Sequence, residues 1–521
     1  MAGANLEEVY LLKPLNESAP TAEDKRHSQE LEAFLRSSGL YESLDEALLR
    51  EEVLGLFYQL VQSWVKGVCR KKNFNQTPDV AEMQPVPDAF VPMIGIKYKG
   101  VQLDVLYAPL AMHTLPEQLD LSNHAVLRGC DEPTVRSLNG CRVTDTILRL
   151  VPRQDVFRLA LRAVKHWAAL RGIASNVTGY LGGVNLAIMV AKICQLYPRA
   201  EASTVLLKFF ILLKAWPWPR AIHLRVPEDH SMGLPVWDPR PGTRDSLALM
   251  PVITPAYPSM NSLYNVQRST LEVMTAEFAN AAEVCTSFMR CLNGQPIEWS
   301  RLFAPVPFFT QHTFYIQLEV SADGEHDLVL WDGWVSSRIR RLVRNLEDHV
   351  RVRPYPKAQR APSGPKSVEP ERPRLLYYIG IDKRQAAAVT ASQLLPNGQL
   401  AALPPHAPGA AATVPAGKVD LKQPCLIFVN EVTAWPAKRA GMELRVNVLK
   451  KAQLPPWLTQ PKEEMLPAAQ QEAAADTGAE RPAVKLEALP PPADGSAAVA
   501  AGPQQLGDQT GGAPCTLFCL S

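Results

Sequence analysis

Residues 90–110 read FVPMIGIKYKGVQLDVLYAPL, two short strands predicted to meet in a tight turn at Lys99-Gly100. In the second strand Val101, Leu103, Val105 and Tyr107 fall on one face and Gln102, Asp104 and Leu106 on the other. This period of two marks a half-buried strand. Asp104 is then the one charge on the second face of a largely apolar run. It is either an ordinary exposed or hydrogen-bonded carboxylate, or a metal ligand held on a rigid strand. The strand alone does not choose between them.

The chain has 521 residues, room for two to four domains and at least one sizeable core. No apolar run approaches the roughly 20 residues of a membrane helix, so no membrane association is expected. The N-terminus lacks the basic flank and apolar core of a secretory signal. The nine cysteines form no CxxC pair. The spacings Cys285/Cys291 and Cys515/Cys519 have no histidine placed for zinc, so a reducing compartment is expected. A net charge of +2 means that any basic surface must be local.

The chain divides by composition into five parts. Residues 1–27 are polar and predicted flexible, and 28–115 hold two helical runs and the strand pair. Ser43 and Glu46 form a predicted capping box before the second run. Residues 116–296 read as a mostly helical domain. In it, Asp155–Arg171 is amphipathic, with Arg158, Arg162 and Lys165 outward, and Gly182-Gly183 opens an almost wholly apolar helix. A long irregular stretch, Pro217–Asn265, follows the third helix. Residues 297–452 combine strands at Phe314–Val320, Leu375–Ile381, Cys425–Val432 and Leu444–Leu449 with a basic helix over Leu328–Leu346. That pattern predicts a ferredoxin-like α+β domain with insertions at Pro354–Arg374 and Leu394–Gly417. Residues 453–521 are low-complexity and predicted disordered.

Several segments are specific in combination: LDVLYAPLA, RSLNGCRVTD (Arg136–Asp145), FRLALRAVKHWA, GGVN (Gly182–Asn185), LPVWDPR and TPAYPSMNSLYNV. By pattern alone, Ser-Leu-Asn-Gly reads as a turn before a helix and the Gly-rich run as a place where a ligand approaches backbone N–H groups. In this order, from about Leu48 to Gln453, the segments resemble the eukaryotic nuclear poly(A) polymerases. The resemblance implies an α+β multidomain protein: a nucleotidyltransferase palm, a helical middle domain, a ferredoxin-like RNA-binding domain and a disordered tail. It implies template-independent transfer of AMP from ATP to an RNA 3′-hydroxyl, with Mg²⁺ (or Mn²⁺) as cofactor. The expected partners are the RNA 3′ end and the mRNA 3′-end processing complex, with the protein acting as a monomer in the nucleus. Carried over by motif, Asp104 matches the third metal carboxylate. Asn139, Lys165, Gly183 and Val184 match positions lining the nucleotide, with Lys165 on phosphate.

The chain also departs from the family pattern. Upstream of the third carboxylate the family carries a Gly-Ser turn and an Asp-x-Asp strand. Here Lys72 runs through NFNQTPDVAEMQPVPDA to Phe90 with neither, as in an isoform or gene model lacking that segment. Asp79, Glu82 and Asp88 fall in what reads as a Pro-punctuated loop, and the strand pair is left without neighbours. Ala174 and Ala169 replace a nucleotide-site tyrosine and a second lysine. One carboxylate cannot hold two Mg²⁺ ions. Two functions follow as expectations: a poly(A) polymerase whose activity is in doubt, or a catalytically inactive isoform that binds RNA or the processing complex.

Overall fold

The computed structural model describes residues 11–67, 80–86, 91, 93–112, 116, 119–290, 296–360, 372–382, 420–459 and 515–520. The chain starts with α1 (Ala22–Ser37) and α2 (Leu44–Gly67). Thr21 caps α1 in a reciprocal box with Asp24, and Ser43 and Glu46 bond the same way before α2. The lead-in predicted as flexible over 1–27 is tied down from Leu11. Its carbonyl accepts from Lys192 Nζ at 2.6 Å, and the Leu15 N–H donates to the Leu196 carbonyl.

The first sheet corrects the expectation of an isolated strand pair. Strands β1 (Val80–Val86), β2 (Met93–Tyr98) and β3 (Val101–Leu110) form an antiparallel run, with β8 (Cys515–Leu520) on the far side of β3. Residues 80–86 therefore form a strand. Pro85 is tolerated there because β1 is an edge, where a missing N–H need not break the ladder. The turn between β2 and β3 sits where predicted, with Lys99 and Gly100 both at positive φ. Leu103 and Val105 pack on Val53 and Phe57 of α2. Tail residues 515–520, predicted disordered, pair with β3 from Leu110 to Val105. The rest of the predicted disordered tail beyond residue 459 lies outside the described residues.

The helical layer follows with α3 (Glu132–Leu150), α4 (Gln154–Leu170), α5 (Gly183–Leu196), α6 (Ala202–Lys214) and α7 (Arg268–Arg290). Its core gathers Trp167, Phe209, Phe210 and Phe278, all essentially buried. Ser-Leu-Asn-Gly is not a turn but lies inside α3. Asp131 caps that helix by accepting from the Thr134 N–H at 2.9 Å, and burial of Val135 and Leu138 carries it past Gly140. The stretch 217–265 has little regular structure, yet it buries Ile222, Leu224, Val252, Ile253 and Tyr257.

The last unit contains β4 (Phe314–Ser321), α8 (Glu325–Ser336), α9 (Ile339–Glu347), β5 (Arg351–Pro354), β6 (Arg374–Asp382), α10 (Lys422–Thr433) and β7 (Glu443–Lys450). The sheet order is β5-β6-β4-β7, antiparallel throughout. This is the ferredoxin-like order, with α8–α9 as the first crossover and α10 as the second. Cys425–Val432, predicted as a strand, is thus the second crossover helix. A short run of this kind, apolar over its first five residues, fits either state, and here Phe428 and Val432 pack as one helical face on the sheet.

This unit docks firmly on the helical layer. Glu277 of α7, 3% exposed, accepts from Arg171 Nε at 2.8 Å and Arg353 Nη2 at 2.9 Å. Ser269 donates its N–H and hydroxyl to Glu347, and the buried Tyr180 hydroxyl donates to the Pro354 carbonyl.

Candidate functional site

Asp104 is half-buried on β3. It shares a face with Leu106 and Ala108, which pack against Val135 and Leu138 of α3. Asn139 follows Leu138 directly. Its Oδ1 is buried and accepts no hydrogen bond among the described residues, so it stands ready for an N–H or O–H donor. Asp104 and Asn139 therefore belong to the facing layers β3 and α3, which pack together.

Gly183 and Val184 open α5, which also packs on α3. Both are exposed, and a Cβ on Gly183 would meet nothing within 4 Å. The Gly182 N–H is already taken by Asn185 Oδ1 at 2.6 Å. Gly179 just before sits at φ +88, against the Asn265 carbonyl. Lys165 lies on the solvent face of α4. Ala169 is exposed on the same helix, and Ala174 packs at the edge of the main core.

Strand register tests whether the metal centre is complete. Asp104 pairs with Gly95 of β2, and Gly95 pairs with Gln84 of β1. Neither supplies a carboxylate. Glu82, expected in a loop, is on β1 opposite Lys97, which pairs with Gln102. It is two strands and two residues away from Asp104. Ordinary strand spacing puts its backbone about 12 Å from that of Asp104. Two-metal sites place the ions only about 3.5–4 Å apart. Among the described strand residues of this sheet, Asp104 and Glu82 are the only acids, and Asp79 and Asp88 lie outside the described residues.

The order of domains settles the kinship. A family model described as the poly(A) polymerase nucleotidyltransferase domain matches residues 12–77 and 74–151. The poly(A) polymerase central domain matches 156–305, and the poly(A) polymerase predicted RNA binding domain matches 307–370. The chain belongs to the poly(A) polymerase family.

Nuclear poly(A) polymerase 1 of Arabidopsis thaliana is 37% identical over 499 residues, covering 85% of this chain and 65% of the relative. Nuclear poly(A) polymerase 2 of the same plant is 40% identical, covering 66% and 49%. The poly(A) polymerase of Dictyostelium discoideum is 34% identical, covering 86% and 59%. The chain thus spans about half to two thirds of the length of these relatives. A solved structure of Cid1 with its product ApU is 14% identical with a TM-score of 0.28, covering 43% of this chain and 73% of that one. A match that weak carries no argument about this chain.

In this family member, sequence reasoning missed a second polar cluster beside the first. Arg142, one helical turn beyond Asn139, is 2% exposed. It donates to the Leu121 carbonyl at 2.8 Å, the Tyr257 carbonyl at 2.6 Å and His124 Nδ1 at 2.9 Å. Burial, with Arg225 adding like charge, pulls its pKa down to about 10. His124 stacks on His230 at 3.9 Å, and Glu228 lies within reach of both. Burial first, then His230, Arg142 and Arg225, hold His124 below the usual imidazole value.

Two histidines and a glutamate have the composition of a zinc site. The hydrogen bonding opposes it. A guanidinium only donates, so His124 Nδ1 must accept, and the neutral ring carries its proton on Nε2. Neither nitrogen then offers a free lone pair unless Arg142 leaves. The Arg-Val-Thr spacing after Asn-Gly was the sequence signal available, but residues 121, 124, 225 and 257 meet Arg142 only in three dimensions.

Proposed function

We propose that this chain is a nuclear protein of mRNA 3′-end polyadenylation that keeps the ATP- and RNA-binding frame of its family but transfers AMP to an RNA 3′-hydroxyl poorly or not at all. The observation that carries the reading is the register around Asp104: Gly95 and Gln84 stand opposite it on the neighbouring strands, and neither is a carboxylate. Mg²⁺ or Mn²⁺, when bound at a complete family centre, supplies a more acidic attacking hydroxyl and neutralises the leaving pyrophosphate. A single carboxylate does not assemble that centre.

What the chain's own residues do is bind. The orphan Asn139 acceptor suits a donor on the ATP, the open Gly183-Val184 helix start suits close approach of the nucleotide, and exposed Lys165 suits phosphate. RNA would be held by the ferredoxin-like unit, which the buried Glu277 contacts keep in one orientation on the helical layer. The names of the plant relatives support the nuclear setting. The processing complex and a monomeric state follow from the family resemblance.

The test is a paired assay on the whole chain. An oligo(A) primer should bind with affinity that falls as salt rises, while ATP with Mg²⁺ or Mn²⁺ yields no extension. Primer extension that disappears in Asp104→Ala would overturn the reading and restore an active polymerase.

A further inference from the structure

We infer that the pocket between α3 and the 225–256 segment is a binding site for a phosphate-class oxyanion, separate from Asp104 and its neighbours. The cavity holds about 170 Å³. Its lining includes Arg142, Arg149, Arg225, His124, Ser122 and Thr146. One of them, Arg225, carries an unmet donor, and another, Arg142, is a buried cation with no carboxylate bonded to it among the described residues.

Arg142 is almost wholly buried, yet its three bonds go to two carbonyls and a neutral imidazole. No carboxylate among the described residues bonds it. A buried cation normally has an anionic partner, because solvation lost on burial must be replaced. Arg225 gives one nitrogen to Glu228 at 3.0 Å, while its Nε is buried with no acceptor among the described residues. Arg149 adds a third guanidinium from the exposed end of α3.

The acids nearby do not cancel this charge. Asp120 is held by the Ser122 N–H and hydroxyl at 2.9 and 2.8 Å, and Glu228 is shared between Arg225 and His230. Three guanidiniums face two carboxylates, both already engaged. Guanidinium forks match tetrahedral oxyanions, whereas a cation here would be repelled by all three. A phosphate fits the volume, and it could be free inorganic phosphate or one phosphate of an RNA backbone.

Inorganic phosphate titrated into the full chain by calorimetry, with chloride balancing ionic strength, should show saturable one-site binding. Arg149→Gln and Arg225→Gln should each weaken it by about fivefold or more, the effect of losing one charge-assisted contact. Both side chains are partly or largely exposed, so both variants should melt like the parent without phosphate. Displacement of phosphate by a short RNA assigns the site to backbone phosphate, and simultaneous binding assigns it to a free oxyanion. Absence of saturable binding up to about 20 mM phosphate, a limit near 2–3 kcal/mol of affinity, would overturn the inference. Equal binding by parent and both variants would do the same.

Discussion

Glu277→Gln should weaken the joint between the helical layer and the ferredoxin-like unit more than any surface change. The substitution keeps the side chain's size and removes its charge. Two guanidiniums, Arg171 and Arg353, then lose their shared anion at a position only 3% exposed. Breaking a buried ion pair by removing one partner costs about 3–5 kcal/mol, because the remaining charge is left uncompensated. Here the cost should fall toward 3 kcal/mol or so, since each arginine keeps another acceptor. Arg171 Nη1 still donates to the Ala304 carbonyl and Arg353 Nη2 to the Arg171 carbonyl, at 2.8 and 2.9 Å. The assay is equilibrium unfolding in urea followed by tryptophan fluorescence and circular dichroism. Parent protein should lose the two units in one step, and Glu277→Gln should unfold earlier and separate them into two transitions. Replacing all three residues by apolar side chains of similar volume should recover much of the loss, since desolvation of the charges is then avoided. A Glu277→Gln loss below about 1 kcal/mol would refute the reasoning and class the triad with surface pairs.

Two further outcomes are expected. Burial, reinforced by Lys192, pushes the His223 pKa down to about 4 from an ordinary 6.5; the unfolded chain therefore binds the proton first. Stability is fully present above pH 6.5 and falls toward pH 4 by up to about 1.4 kcal/mol per pH unit. His223→Asn should flatten that slope in acid unfolding, and an unchanged slope would show that other groups govern it. Gly179→Ala places a Cβ at positive φ and 2.9 Å from the Asn265 carbonyl. It should cost about 1–3 kcal/mol in thermal unfolding and, on the proposed function, weaken ATP binding through displacement of the neighbouring α5 start.

Short-range rules made much of the fold legible. The β2–β3 hairpin follows from alternation and a Lys-Gly turn, and the buried helix after Gly182-Gly183 follows from its unbroken apolar run. Errors occurred where local pattern is degenerate. Cys425–Val432 fits a strand as well as a helix until the sheet beneath it is known. Ser-Leu-Asn-Gly looks like a turn until Val135 and Leu138 are seen to be buried. Residues 80–86 look like a loop because prolines are read against strands, and only an edge position excuses Pro85.

The candidate site divides in the same way. Order of motifs along the chain was enough to identify the family, and the absence of an Asp-x-Asp before Phe90 is a fact of the sequence itself. The separation of Glu82 from Asp104 was decided by register, because the two are close in number but are separated by β2. The Arg142 pocket was wholly tertiary. Its groups come from 121–124, 142–150, 225–230 and 257, and a buried charge without a carboxylate is a property of packing that no single stretch of sequence contains.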